Sequence, residues 1–161
     1  MKILAIYDSA YGNTQRIADT INEAVYNPHV SKLVHINQVT LSDMQGIDML
    51  IIGSPTQGGM ATKPVQEFIA SMPKGSLNGV DVAAFDTRYA LSEHGIGLKV
   101  LMKTIGFGAP RILTGLVAKG GKSITKPEGF LVENKEGPLK DGEIERAEAW
   151  IGEIIDRSKR A

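Results

Sequence analysis

Ile3-Leu4-Ala5-Ile6-Tyr7 and Met49-Leu50-Ile51-Ile52 are apolar without interruption. A strand wetted on one side alternates polar with apolar residues, so an unbroken run marks a strand covered on both faces. Val30–Ile36 and Val80–Phe85 read as two further strands, the second and the fourth in chain order. Helical stretches separate them. Thr14–Tyr26 places Ile17, Ala18, Ile21, Ala24 and Val25 at helical spacing before Pro28 stops it, and Pro64 opens a helix carrying Val65, Phe68, Ile69 and Met72. Leu98–Ile105 reads as a third helix. Gly142–Arg157 reads as a closing one, with Ile144, Ala147, Ile151, Ile154 and Ile155 turned inward, Asp141 as a cap and Arg157 near its negative end. Buried strands alternating with amphipathic helices predict an α/β fold, a parallel sheet with helices on both faces. In the last third, Ile112–Val117 and Phe130–Val132 both look like strands, separated by the Gly-, Lys- and Pro-rich stretch Lys119–Gly129. The expectation is a single last strand interrupted by a loop.

At 161 residues, with no internal repeat or linker, one domain over residues 1–161 is expected. The absence of cysteine removes disulfide frameworks, thiolate metal sites and cysteine nucleophiles. Eighteen basic residues balance eighteen acidic ones, which leaves no long-range field to gather nucleic acid or an anionic membrane. The opening Met1–Asp8 is too short in apolar residues for a signal-peptide core. No segment approaches the ~20 apolar residues of a membrane span. A soluble cytoplasmic protein is expected.

Ligands of open parallel sheets bind beyond the carboxyl ends of the strands, where the strand order reverses. Asp8–Asn13, Ser54–Ala61 and Asp86–Gly97 qualify as loops by position. In the first, Ser9-Ala10-Tyr11-Gly12-Asn13-Thr14 offers hydroxyls, an amide and backbone N–H groups at a helix N-terminus, a set that binds phosphate without a formal cation. The same residues also make an ordinary strand-to-helix turn with Asn13 as its cap.

Ser9–Thr14 resembles the phosphate loop of the flavodoxins, Ser/Thr-x-x-Gly-x-Thr. Pro55-Thr56-Gln57-Gly58-Gly59 resembles that family's loop beside the flavin N5 edge. Asp86-Thr87-Arg88-Tyr89 with His94-Gly95 stands where the family has its other flavin-covering loop. The likeness holds in order and spacing through the first two-thirds of the chain. It implies a flavodoxin-like doubly wound sheet of five parallel strands in the order 2-1-3-4-5, with FMN as cofactor. The cofactor-binding residues it implies are Ser9, Ala10, Tyr11, Gly12, Asn13, Thr14, Pro55, Thr56, Gln57, Gly58, Gly59, Asp86, Thr87, Arg88, Tyr89, His94 and Gly95; it implies no metal. Gln57 stands where the family often has Trp, leaving Tyr11 and Tyr89 as candidates to stack on a ring or to pack on a neighbouring helix. Arg88 either offsets negative charge or is a surface arginine, and His94 either donates a proton or is a solvated side chain.

Three functions fit these residues. The first is an FMN-binding carrier that passes electrons to a redox partner protein or a small acceptor such as a quinone. The second is an FMN-dependent NAD(P)H:quinone reductase, and the third an interaction domain that has lost its cofactor. Two motifs mislead. Lys119-Gly120-Gly121-Lys122-Ser123 evokes a nucleotide P-loop, but the required earlier glycine would fall at Leu116 and Pro127 comes too soon for the following helix. A signalling receiver domain would need an aspartate at the end of the third strand, where Gly53-Ser54-Pro55 stands.

Overall fold

The computed structural model describes residues 1–26, 28–89, 95–97 and 106–160. Strand β1 (Lys2–Tyr7) lies between β2 (Val30–His35) and β3 (Met49–Pro55), and β4 (Asp81–Tyr89) follows on the far side of β3. All of these pairings are parallel. The chain moves outward from β1 to β2 and then returns past β1 to β3, so the order reverses between β1 and β3. Four α-helices are found among the described residues: α1 (Asn13–Val25), α2 (Lys63–Ser71), α3 (Gly108–Ala118) and α4 (Glu143–Arg160). The expected helix at Leu98–Ile105 lies outside the described residues.

The unbroken apolar strands are explained by two cores. Leu4, Ile6, Leu50, Ile52, Val82 and Ala84 meet Val65 and Ile69 of α2 and Ile112 and Leu116 of α3 on one face. Their chain neighbours Ile3, Ala5, Met49, Ile51, Ala83 and Phe85 meet Ile17 and Ile21 of α1 and Ile151 and Ile154 of α4 on the other. Each fully buried large aliphatic is worth roughly 1.5–3 kcal/mol, so neither face tolerates a polar exchange cheaply. Phe85, Phe130 and Trp150 meet edge-to-face, with centroids 5.9–6.1 Å apart, and join β4 and α4 to the last strand.

That last strand is indeed interrupted, but by different residues from those expected. Its halves are β5 (Lys122–Ser123) and β6 (Glu128–Val132), both parallel to β4, at Asp81–Val82 and Phe85–Tyr89 respectively. Ile112–Val117 belongs instead to α3. A short apolar run fits a buried helix face as well as a strand, and here Ala109, Ile112, Leu113 and Leu116 are buried with helical spacing. Pro110 sits in the first turn, where its missing N–H costs nothing. Strand β4 also runs past Phe85 to Tyr89, so Asp86–Tyr89 is extended backbone paired with Pro55 and β6 and not a loop. No helix among the described residues is long and apolar enough to cross a membrane.

Candidate functional site

The carboxyl ends of β1, β3 and β4 open into one cavity of about 540 Å³. That is within the roughly 300–1,000 Å³ usual for small-molecule and cofactor sites. At the reversal point, Asp8 N–H donates to Gly53 O at 3.0 Å. The Asp8 carboxylate then ties three segments together. It accepts from Ser9 N–H (2.8 Å) and Thr62 Oγ1 (2.5 Å), and His35 Nε2 lies 3.4 Å away.

Loop Ser9–Gly12 ends with Gly12 at φ +87°, and α1 begins at Asn13. The cap is therefore not Asn13. Ser9 Oγ takes that part, accepting from Gly12 N–H (3.0 Å) and Gln15 N–H (3.4 Å). The first bond along the helix runs from Arg16 N–H to Gly12 O, 3.0 Å. The amides of Asn13 and Thr14 precede it and need acceptors from outside the helix. Thr14 Oγ1 is buried 2.8 Å from Thr87 Oγ1 of β4, which fixes the first loop to the third strand end.

Gln57 and Met60 exchange both backbone bonds, at 2.9 and 3.0 Å, around Gly58 (φ +56°) and Gly59 (φ +79°). A two-residue hairpin with positive φ at both central positions is a type I′ turn, which glycine adopts without steric cost. Helix α3 holds this hairpin in place. Gly108 N–H donates to Thr56 Oγ1 at 2.9 Å, and Arg111 Nε donates to Gly59 O at 3.1 Å.

At the end of β4, the Asp86 carboxylate is fully buried. It accepts from Arg88 Nε (2.5 Å), Arg88 Nη2 (2.8 Å) and Ala109 N–H (2.8 Å). The Arg88 guanidinium also lies over the Phe107 ring, 3.8 Å from its centroid.

Ser9, Ala10, Tyr11, Asn13, Thr14, Pro55, Thr56, Gln57, Gly58, Thr87, Arg88 and Tyr89 line the cavity together. Gly12, Gly59 and Asp86 stand behind the wall, where they shape the first loop, shape the hairpin and hold Arg88. Gly95 is exposed and does not line it, and His94 lies outside the described residues. Val132 and Lys135 complete the lining and were not anticipated. The only sequence signal for them is the turn Asn134–Pro138 after the last strand. Arg88 and Lys135 are the cations of the described lining, which contains no carboxylate.

Fold and cavity together define a doubly wound α/β protein whose candidate site straddles the strand-order reversal. Residues 4–105 match the family model described as the flavodoxin domain, and the chain belongs to the flavodoxin family, flavoproteins that transfer electrons. It is 25% identical over 172 aligned positions to a flavodoxin of Aquifex aeolicus, covering 98% of this chain and 91% of that one. Identity to a flavodoxin of Clostridium saccharobutylicum is 26% over 163 positions, with 99% of each chain covered. The fold superposes on oxidised flavodoxin 2 of Bacillus cereus with a TM-score of 0.74 at 21% identity, covering 98% of this chain and 99% of that one. Of the three functions open from sequence, the electron carrier is the one these matches favour.

Proposed function

We propose that this chain binds FMN in the cavity between the three strand ends and carries electrons to a redox partner protein. One observation carries the reading. Neutral phosphate donors at a helix N-terminus (Ser9, Asn13, Thr14) share a single cavity with a tight hairpin and Tyr89. The donor set suits a phosphate monoester, and the two tyrosines on the lining, Tyr11 and Tyr89, offer ring faces to a flat heterocycle. FMN, when bound, supplies the electron chemistry. The protein's part is binding, orientation and tuning. The first loop holds the phosphate, the Gln57–Met60 hairpin places backbone groups beside the ring, and the Asp86–Arg88 pair keeps a guanidinium at the wall.

The test is an absorption spectrum of the purified protein before and after adding FMN, with riboflavin as the comparison. Flavin bands that stay with the protein on gel filtration, and tighter binding of FMN than of riboflavin, are expected. A protein that retains neither flavin would overturn the reading. Rapid NAD(P)H consumption with a quinone would replace the carrier by a reductase.

A further inference from the structure

The loop that meets the phosphate brings no cation of its own, yet a phosphate monoester carries about −1.5 to −2 charges at neutral pH. The α1 dipole offsets roughly half a charge. Arg88 is committed to Asp86 by two hydrogen bonds, and its side chain is only 17% exposed. The remaining cation on the described lining arrives from the other end of the chain.

After β6 the backbone turns back on itself. Val132 bridges Leu139, Glu133 N–H donates to Pro138 O at 2.8 Å, and Gly137 N–H donates to Asn134 O at 3.0 Å. The tip of this hairpin is fastened to the start of α1, where Asn13 Nδ2 donates to Glu136 O at 3.0 Å. Gly137 makes the fit possible. Its φ is +104°, and a Cβ there would lie 2.5 Å from Asn13 Oδ1. Lys135, next to the fastened Glu136, is exposed and lines the cavity. The carboxylates beside it on the hairpin, Glu133 and Glu136, are exposed and do not line it. None of the ion pairs found among the described residues engages Lys135.

From this placement we infer that Lys135 is the countercharge for the cofactor's phosphate and that the 133–138 hairpin adds to the first loop's preference for a phosphorylated flavin over an unphosphorylated one. The inference rests on the FMN reading above. Asn13 then has two tasks, with one amide hydrogen holding the hairpin while its backbone N–H faces the anion. Because the ammonium approaches from solvent, its contribution is screened by salt.

Dissociation constants for FMN and riboflavin would be measured by flavin fluorescence for the wild type, Lys135→Gln and Lys135→Arg, each at low and high ionic strength. Lys135→Gln should weaken FMN roughly three- to tenfold at low salt, as expected for a partly exposed charge-assisted hydrogen bond. It should leave riboflavin unchanged and flatten the salt dependence of FMN binding, and Lys135→Arg should restore both. Gly137→Ala, which keeps the lysine but pushes the hairpin away from Asn13, should reproduce the Lys135→Gln defect. Unchanged FMN affinity in Lys135→Gln, or equal weakening of both flavins, would overturn the assignment while leaving the FMN reading intact. A wild type that binds neither flavin would overturn both.

Discussion

Thr14 Oγ1 and Thr87 Oγ1 face each other at 2.8 Å, both buried, one from the first turn of α1 and one from β4. One proton lies between the two oxygens, and the other hydroxyl hydrogen is left to point elsewhere; both residues line the cavity. The pair therefore closes the wall and also supplies a donor to whatever the cavity holds. Thr14→Ala should weaken FMN about tenfold or more, and riboflavin less, since a hydrogen bond to a charged group is worth roughly 1.5–3 kcal/mol. Thr87→Val should cost about 1–2 kcal/mol of folding stability by leaving its partner's buried hydroxyl unpaired. Binding titrations and urea denaturation separate the two effects, and equal loss of both flavins in Thr14→Ala would take Thr14 away from the phosphate.

The Gln57–Met60 hairpin leads to a prediction about tuning. Reversing the Gly58–Gly59 peptide plane converts type I′ to type II′, which keeps positive φ at Gly58 and releases it at Gly59. Among protein atoms a Cβ at Gly58 would meet nothing within 4 Å, so the cost of a substitution to the protein itself is conformational. Type I′ holds position 58 in left-handed backbone, which costs ordinary residues roughly 1–2 kcal/mol. Type II′ holds it at positive φ in the mirror-β region that glycine alone enters freely. A β-branched residue therefore penalises the reversed turn more. Gly58→Val should bind oxidised FMN nearly as wild type does, while the potential of the first electron falls relative to the second. Gly58→Asn should shift less. Spectroscopic redox titration reads both, and unchanged spacing of the two potentials in Gly58→Val would return Gly58 to the role of a plain turn residue.

Arg88→Met tests the buried pair. The change strands the Asp86 carboxylate with only the Ala109 amide as a donor among the contacts described above. Breaking a buried ion pair from one side costs roughly 3–5 kcal/mol. Pairing it with Asp86→Asn should recover part of that loss. Chemical denaturation measures it, and a loss below about 1 kcal/mol would mean solvent reaches Asp86 once the arginine is gone.

Asp43 gives a pH dependence far from the cavity. The Lys32 ammonium bonded to it, with Thr40 N–H (2.9 Å) and Thr40 Oγ1 (2.8 Å), lowers its carboxyl from the ordinary 3.8 to about 2. A lowered carboxylate stabilises the fold above its unfolded value, and the contribution disappears as pH falls through the folded one. The stability gap between wild type and Asp43→Asn should therefore be full above about pH 4 and close towards pH 2. A gap that persists at pH 2 would show that the aspartate acts through shape and not charge.

The parts of the site that a reader of the sequence can find are those made locally. Ser9–Thr14 joins a strand end to a helix start within a few residues, and Pro55–Gly59 carries its own turn chemistry, so both are visible in the chain. Asp86–Tyr89 misleads because polar residues at a strand end look like loop, and their extension depends on pairing with β6, some forty residues later. Ile112–Val117 misleads because short apolar runs carry no period of their own, and packing against the sheet and α2 makes them a helix face. Lys135 has no local signal beyond the turn that carries it. It reaches the cavity through a bond spanning 123 positions, between Asn13 and Glu136, and such closures are written in tertiary packing.

The broken last strand also governs how this molecule meets copies of itself. An exposed sheet edge is a template for another chain's strand, and proteins blunt such edges to avoid aggregation. Here the outer border offers two residues, a gap containing Pro127, and then five residues. Over those five the outward backbone is already occupied. Leu131 N–H donates to Glu143 Oε2 (2.7 Å), Leu131 O accepts from Lys140 N–H (2.9 Å), and Gly129 O accepts from the Arg146 guanidinium. A second chain laid along β6 would have to displace a carboxylate, a guanidinium and the returning backbone before gaining its first ladder bond there. The split that looks like a defect of the sheet thus leaves a two-residue stub and a strand whose outer edge is already sealed, a border poorly suited to receive another chain's strand.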